Sequence, residues 1–202
     1  ITTRLVGSEM CIRDSTMTAP VAKAPRRQPL PANFEPDKNA THIDMSIYDT
    51  SRVTDMSYMF YPCSSLESIN LTFFDTSQVT DMTSMFCNCR SLKNLDLTCF
   101  DTSKVTNMWS MFENCSSLES LDLTSFDTSN VSHMDRMFKG CSSLNILDLS
   151  GFDTTKVKWY LLMFFGCNNL QKVIMRGCNR RTVDMIRQAL NEAGLTRVQI
   201  IV

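Results

Sequence analysis

A regular repeat, with a period of about 26 residues that lies in the range typical of solenoids, constrains this chain more than any other feature. Aspartates that follow an aromatic residue recur at this spacing, as Asp49, Asp75, Asp101, Asp127 and Asp153. Cysteines recur in the same register, as Cys63, Cys89, Cys115, Cys141 and Cys167. In a solenoid, each repeat forms one coil that stacks on the previous coil. The sequence therefore predicts a solenoid.

The first half of each repeat has the pattern of a short strand. Leu121 and Leu123 alternate with Ser120, Asp122 and Thr124, and this period of two is typical of a strand with one buried face. Equivalent apolar pairs are Ile43/Met45, Ile69/Leu71, Leu95/Leu97, Leu147/Leu149 and Val173/Met175. Because equivalent strands of successive coils lie side by side in the same direction, we predict a parallel sheet.

The second half of each repeat has the spacing of an amphipathic helix. Val105, Met108, Met111, Phe112 and Cys115 follow the pattern V-x-x-M-x-x-M-F-x-x-C, which places them on one stripe of an α-helix. The preceding Asp-Thr-Ser offers side chains that can cap such a helix. The predicted fold is an α/β solenoid with a parallel sheet on one face and short helices on the other.

The sequence divides into four segments. We interpret residues 1–15 as a non-native leader, because they resemble translated sequencing-adapter read-through, and residues 16–41 as a proline-rich disordered linker. Residues 42–178 hold about five repeats of the solenoid. Residues 179–202 predict a C-terminal cap, a helix and then a strand, whose helix carries Val183, Ile186 and Leu190 at helical spacing. No matching N-terminal cap is visible before His42.

Composition excludes several classes of function. The chain has 20 basic and 21 acidic residues, so nothing in its charge favours binding to nucleic acid. No apolar run reaches the roughly 18–20 residues that span a bilayer, so we predict no transmembrane segment. The two histidines, His42 and His133, are too few and too far apart in sequence for a histidine-based metal or catalytic site.

The two ladders of repeated residues each allow two interpretations. The cysteines at the end of the apolar stripe could pair or hold a soft metal, but free cysteine is among the most buried residue types, and we interpret them as a reduced structural ladder. The repeated aspartates could bind calcium, but Asp-Thr-Ser supplies no second acidic ligand, and turn or helix capping accounts for them better. We therefore predict no metal and no cofactor.

The outward positions of the predicted strands form the candidate binding face. They are Asp44, Asn70, Asp96, Asp122 and Asp148, with Thr72, Thr98 and Thr124 beside them. This face is flat, slightly acidic and rich in hydroxyl groups, without the aromatic or arginine anchors that dominate many interfaces. It is either a surface that binds a partner weakly and repetitively or a solvated sheet face.

The repeat resembles a known family. L-x-x-L-D-L, as in Leu118, Leu121 and Leu123, is similar to the strand half of a leucine-rich repeat. M-F-x-x-C-x-S-L followed by L-D-L-T-x-F-D-T-S-x-V-T-x-M resembles the BspA-like leucine-rich repeat and, more narrowly, the domain of unknown function widespread in mycoplasma lipoproteins and bacterial surface proteins. The fifth copy departs at Lys158, Tyr160 and Asn169. The resemblance implies a leucine-rich-repeat-like solenoid, a cell-surface or secreted location, and adhesion or protein binding without catalytic residues.

These observations favour a non-catalytic interaction or adhesion module whose partner is a protein or a glycan. An intracellular scaffold and a structural spacer are the alternatives. A hydrolase is less favoured, because every Ser and Asp recurs at the same place in each repeat, whereas catalysis needs differently placed groups that converge in one pocket. His133 is the lone candidate base, and its position holds Asp55, Asp81, Asn107 and Trp159 in the other repeats. We therefore predict that the protein is not an enzyme.

Overall fold

The structure, a computed structural model, describes residues 27–202. Its elements in chain order are β1 (Gln28–Pro29), β2 (His42–Asp44), β3 (Tyr48–Asp49), β4 (Ser68–Asn70), β5 (Ser120–Asp122), β6 (Ile146–Asp148), β7 (Lys172–Ile174), α1 (Arg180–Glu192) and β8 (Gln199–Ile201). We number the coils by residue range as coil 1 (42–67), coil 2 (68–93), coil 3 (94–119), coil 4 (120–145) and coil 5 (146–171). The predictions for residues 1–26 lie outside the described residues.

The coils stack as a parallel-sheet solenoid, which confirms that part of the prediction. Strands β2 and β4 pair in parallel, and β5, β6, β7 and β8 form a second parallel sheet in that order. Within these coils the pairing partners lie one sequence repeat apart, as in Leu121 opposite Leu147, so the repeat sets the register of the sheet directly.

Coil 3 interrupts the sheet, although a strand was predicted around Leu95. Residues 93–97 form no strand, and among residues 27–202 their amides donate no backbone hydrogen bond to a neighbouring coil. Coil 3 places Asn94 where coils 2 and 4 place serine and coil 5 places Ile146. Asparagine is depleted from strands, which gives a local reason for the gap.

The predicted short helix of each coil is wrong. The segment from Val105 to Cys115 instead bonds to the next coil: the amides of Met108, Ser110 and Phe112 each donate, at 2.9 Å, to carbonyls of coil 4. An α-helix would direct these groups to carbonyls four residues earlier in the same segment. Equivalent segments of all five coils are joined by a continuous series of parallel bridges, from Asp55 through Asp81, Asn107 and His133 to Trp159. We call residues 53–63, 79–89, 105–115, 131–141 and 157–167 the ladder segments.

Left-handed backbone positions keep each ladder segment out of the helical conformation. One position has positive φ in every coil, at Tyr58, Ser84, Ser110, Arg136 and Leu162. A second has it in coils 2 to 5, at Asn88, Asn114, Gly140 and Gly166. Asn and Gly adopt this conformation most readily. In coils 1 to 4 the ladder segments also contain Asp, Asn, Ser or Thr, which compete with helix formation by bonding to the nearby backbone, whereas the segment of coil 5 contains none of them.

The predicted apolar stripe nevertheless faces the core. Val105, Met108, Met111, Phe112 and Cys115 are all fully buried. The phenylalanines of successive ladder segments stack on one another from Phe60 to Phe164, for example Phe86 on Phe112 with ring centroids 5.9 Å apart. Each fully buried side chain of this size contributes about 1.5–3 kcal/mol. Because one coil exposes both of its flat sides, this burial requires neighbouring coils.

Helix α1 closes the C-terminal end, as the sequence predicted. Asn179 caps it by accepting the N–H of Thr182 at 2.9 Å, and the chain leaves it through Gly194 with φ of 76°. Val183 and Ile186 are buried at the positions that follow Val157 and Tyr160 by one repeat. Helix α1 therefore occupies the place of a sixth ladder segment. No helix among residues 27–202 is both long and apolar enough to span a membrane.

The predicted linker differs from the structure in its second part. Gln28 N–H donates to the carbonyl of Ile47 at 3.0 Å, and Leu30 N–H donates to that of Asp49 at 3.1 Å. Phe34 packs edge-on against Tyr48, with ring centroids 5.4 Å apart. Residues 27–41 therefore pack on coil 1. The proline density that suggested a solvated chain suits a sheet edge equally well, because proline presents no N–H to a further strand.

Candidate functional site

The structure places the predicted binding residues on one exposed face of the coils. Asp44, Asn70, Asp122 and Asp148 end strands β2, β4, β5 and β6, and Asp96 holds the equivalent place in coil 3. The register aligns Asp44 with Asn70 and Asp122 with Asp148. We call these five residues, with Thr72, Thr98 and Thr124, the sheet face.

Each Asp or Asn of the sheet face also closes a local turn. Its Oδ1 accepts the N–H of the residue two positions later, for example Thr98 to Asp96 at 3.0 Å and Thr124 to Asp122 at 2.9 Å. The hydroxyls of these two threonines donate to the same oxygens at 2.7 Å. Asn70 makes the equivalent turn with Thr72 N–H at 3.0 Å. In each coil, one side-chain oxygen of the sheet face therefore accepts a hydrogen bond that closes a turn.

The second carboxylate oxygen is what the sheet face offers to a partner. Among residues 27–202, no side chain donates to Oδ2 of Asp96, Asp122 or Asp148. Hydrogen bonds from the side chain and backbone of Ser46 lower the pKa of Asp44 below its ordinary value, so that carboxylate is ionised at neutral pH. The sheet face thus carries a row of carboxylates on successive coils, interrupted only by Asn70.

The second row of aspartates also forms turns rather than helix caps. Asp101 Oδ1 accepts the N–H of Ser103 at 3.0 Å, and Asp127 Oδ1 accepts that of Ser129 at 2.9 Å. Of the two predicted roles, the turn is confirmed in coils 1 to 5, whereas helix capping is wrong there because no helix follows. Among residues 27–202, the capping role is filled by Asn179 before helix α1. Among residues 27–202, no group of three His, Cys, Asp or Glu side chains could hold a metal ion.

Sequence reasoning missed a buried threonine ladder. Thr50, Thr76, Thr102, Thr128 and Thr154 are the residues after these aspartates, and all are buried. The first four donate their hydroxyls to the backbone carbonyl of the next coil's aspartate. Their recurrence in every repeat, as regular as that of the cysteines, was the signal that could have identified them.

The cysteine ladder is buried. The five repeated cysteines are fully buried, and no disulfide forms among the cysteines of residues 27–202. Cys115 Sγ donates to the carbonyl of Phe86 at 3.2 Å, and Cys141 Sγ donates to that of Phe112 at 3.1 Å. Burial raises the pKa of both thiols well above the ordinary value, and that of Cys167 to about 12. These thiols are therefore protonated at neutral pH, which is unsuited to nucleophilic attack.

His133 lies on a different surface from the predicted binding residues. Its ring stacks on Trp159 with centroids 4.1 Å apart, and its Nδ1 lies 2.9 Å from Ser132 Oγ.

Glu113 is the centre of a separate group of hydrogen bonds. It accepts from Ser110 Oγ at 2.6 Å and from Lys139 Nζ of the next coil at 2.7 Å. This mostly buried group spans coils 3 and 4, and the repeat pattern gave no indication of it, because the other coils place unrelated residues there.

The fold and its ladders define a solenoid repeat protein whose coils are joined by backbone bridges and by stacked Phe, Thr and Cys side chains. The family model described as Mycoplasma protein of unknown function, DUF285, matches residues 32–100 and 89–200. Because these ranges cover most of the chain, the protein belongs to this family. No curated protein matches the chain.

Proposed function

We propose that this protein is a non-catalytic interaction module that binds a protein partner through the sheet face. The observation that supports the proposal is the row of Asp96, Asp122 and Asp148, whose second carboxylate oxygens face solvent on successive coils. The turn does not require a negative charge, because Asn70 makes the same turn without one. The turn alone therefore does not account for the charge of the acidic row.

The energetics of this row favour a basic partner. Neighbouring strands lie about 4.8 Å apart, and like charges directly opposite each other destabilise a sheet. Lysine or arginine side chains of a partner would relieve this repulsion and form charge-assisted hydrogen bonds. A glycan would use the hydroxyl and carboxylate acceptors but would leave the repulsion in place, so a basic protein surface is the better-supported partner.

Display at the cell surface, with a role in adhesion, is part of the proposal. Its support is the resemblance of the repeat to BspA-like surface proteins, together with membership of a family described from Mycoplasma. Mild proteolysis of intact source cells tests it. Loss of the protein from intact cells, while a cytoplasmic marker survives, supports display, and protection of the protein until lysis contradicts it.

The binding test removes charge but keeps the turns. In the variant Asp96→Asn/Asp122→Asn/Asp148→Asn, each turn keeps its acceptor, as Asn70 demonstrates. A matched control, Glu35→Gln/Asp37→Asn/Glu192→Gln, removes the same charge from residues outside the sheet face. Asp37 also forms a turn of this type, with Asn39 N–H at 2.9 Å.

Immobilised wild-type and variant chains would be exposed to extracellular proteins of the source environment, and the retained proteins identified by mass spectrometry. We expect basic proteins that are retained by the wild type and by the control but lost from the sheet-face variant. Equal retention by all three chains would contradict binding through this face. Retention of glycans that is insensitive to the substitutions would favour the glycan alternative.

A structural spacer is the second candidate. It is favoured by the turn bond that each sheet-face Asp or Asn makes to its own coil, because that bond gives the residue a reason to recur without any partner. A chain that retains no protein or glycan above the background of an unrelated protein would support the spacer.

A further inference from the structure

A second surface of the solenoid carries exposed apolar residues that the sheet face lacks. It consists of three equivalent positions of each ladder segment, which are exposed or half-buried in coils 1, 4 and 5 and mostly buried in coils 2 and 3, and we call it the ladder face. From coil 1 to coil 5 these are Asp55/Tyr58/Tyr61, Asp81/Ser84/Cys87, Asn107/Ser110/Glu113, His133/Arg136/Lys139 and Trp159/Leu162/Phe165. We propose that two copies of this protein associate through the ladder face as a two-fold dimer. This inference does not depend on the function proposed for the sheet face.

The residues of the ladder face differ from coil to coil. The backbones of neighbouring ladder segments are joined by their own N–H and carbonyl groups, so the stack does not require one particular side chain at these positions, although Glu113 and Lys139 pair across coils 3 and 4. The sheet face, by contrast, repeats nearly the same residue in each coil because the turn requires it. Variation against a regular scaffold is typical of a surface whose side chains meet something other than their own backbone.

Apolar side chains concentrate at the two ends of the ladder face. In coil 1, Tyr58 and Tyr61 are 49% and 40% exposed, and their rings meet edge to face. In coil 5, Trp159 and Phe165 are 46% and 54% exposed, and Leu161 beside them is 63% exposed. Contiguous apolar groups on a surface mark a contact site. Aromatic residues in particular are enriched in interfaces.

The middle coils carry opposite charges. Coil 2 contributes Asp81 and coil 4 contributes Arg136 and Lys139, all of them partly exposed. Lys139 is already paired with Glu113, which leaves Arg136 as the cation of coil 4 without an ion pair among residues 27–202. The ladder face is therefore mainly apolar at both ends, where Asp55 is the charged residue of coil 1, and it carries Asp81 in coil 2 and Arg136 in coil 4.

A two-fold axis across coil 3 makes this arrangement self-complementary. Rotation about that axis sets coil 1 of one copy against coil 5 of the other, and coil 2 against coil 4. Tyr61 then meets Phe165 of the second copy, Tyr58 meets Leu162, and coil 2 with Asp81 meets coil 4, which carries Arg136. Each contact occurs twice, as an isologous interface requires. A two-fold axis along the stack would instead set each coil against itself with its direction reversed, so that Arg136 meets Arg136 and Tyr61 meets Asp55.

The size of the ladder face predicts a weak dimer. At about 4.8 Å per coil, five coils extend only about 19 Å, and interfaces below about 1,200 Å² of total buried surface belong to transient complexes. We therefore expect a monomer–dimer equilibrium that depends on concentration in the micromolar range or above. The four apolar end contacts would supply most of the stability of the dimer. The charges closer to the centre would instead discriminate between orientations.

Sedimentation velocity of the full 202-residue chain over a concentration series tests the association. Phe165→Asp changes both ends of the dimer at once, and we expect the dissociation constant to rise at least about tenfold. The matched control is Ile146→Asp, which places the same new charge at an apolar residue that is 41% exposed on the sheet side of coil 5. Circular dichroism establishes that both variants fold. A monomeric wild type at every concentration, or equal weakening by both variants, would overturn the proposal.

Cross-linking tests the orientation separately. One preparation carries Tyr61→Cys and another carries Phe165→Cys, each in a chain that also has Cys11→Ser, Cys99→Ser and Cys178→Ser, and both are oxidised with copper phenanthroline. The two-fold arrangement predicts a disulfide-linked dimer only when the two preparations are mixed, because position 61 meets position 165. A dimer that forms with Tyr61→Cys alone would show coil 1 against coil 1 and would refute the antiparallel geometry. Absence of any cross-link in the mixture would refute it as well.

Discussion

Thr128 and Asp153 join two neighbouring coils through both backbone polar groups of the aspartate. The Thr128 hydroxyl donates to the carbonyl of Asp153 at 2.9 Å and accepts the amide N–H of the same residue at 2.8 Å. Thr50 makes the same pair of bonds with Asp75, at 2.9 and 2.8 Å. Because Thr128 is only 1% exposed, no water is available to replace it. The hydroxyl completes the coil-to-coil bonding at a corner that belongs to neither strand nor ladder segment.

We expect Thr128→Val to lower the free energy of unfolding by about 2–3 kcal/mol. Valine has nearly the same shape but leaves a buried donor and a buried acceptor of Asp153 without partners, and each such loss costs about 1–3 kcal/mol. Urea denaturation followed by circular dichroism measures the change. The matched control is Thr124→Val in the same coil, where the exposed hydroxyl bonds only to Asp122. A loss below about 1 kcal/mol is expected there, and equal losses at the two positions would contradict the structural role of Thr128.

The interruption of the sheet in coil 3 predicts uneven hydrogen exchange. The amides of residues 93–97 make no backbone bond to a neighbouring coil, whereas Asn145 N–H donates to Glu119 at 2.9 Å and Leu149 N–H donates to Ile174 at 2.8 Å. Amides without a hydrogen bond exchange through smaller openings. Peptide-resolved exchange measured by mass spectrometry should show faster exchange at 93–97 than at 145–149. Equal protection of the two segments would mean that the sheet is continuous.

Burial of the cysteine ladder predicts selective alkylation. Cys115 and Cys141 are inaccessible, and burial holds their pKa well above the ordinary value, so neither access nor thiolate is available. Cys99 and Cys178 are only partly buried. Iodoacetamide at pH 8 should therefore modify these two before any ladder cysteine. Peptide mapping identifies the sites, and the same reaction in urea should label all of them. Early labelling of Cys115 in the folded protein would be inconsistent with the buried ladder.

The same burial makes the stability fall at alkaline pH. Below about pH 9, a ladder thiol keeps its proton in both the folded and the unfolded chain, so it adds no pH dependence. Above about pH 9, the unfolded chain loses that proton whereas the folded chain keeps it, because the folded pKa of Cys115 is raised. Unfolding is then favoured by about 1.4 kcal/mol per pH unit for each such thiol.

The matched variant for this pH dependence is Cys115→Ala. It should be less stable than the wild type at neutral pH, because its truncation removes buried packing. The free energy of unfolding of the variant should then fall less steeply between pH 9 and 10. The difference in slope should be about the contribution of one thiol. Urea denaturation at each pH gives the slopes. Identical slopes in the two proteins would show that Cys115 ionises normally in the folded state.

Most of the core could be predicted from the sequence, because every repeat carries nearly the same pattern of inward apolar residues. The alternation around Leu121 and the spacing from Val105 to Cys115 identified inward residues, all of which are buried. The turn role of Asp96 and the bridge from Thr128 were harder to predict, since both depend on where the chain passes in three dimensions. The packing of residues 27–41 on coil 1 was missed for a related reason: proline density reports the lack of N–H donors, and both solvated chain and a sheet edge satisfy that condition.

The sequence by itself determined the period, the register of the stack and the identity of the inward side chains, because these follow from one spacing that every repeat keeps. Only the tertiary structure decided whether the second half of a coil becomes a helix. Val183, Ile186, Ala189 and Leu190 have the same spacing as the ladder residues, yet they lie in helix α1. Among residues 27–202, no ladder segment pairs with that helix, and its amides bond within the helix. In coils 1 to 4 the next coil accepts those bonds, and in coil 5 the carbonyls of the ladder segment accept bonds from coil 4. Neither partner can be seen from within one repeat.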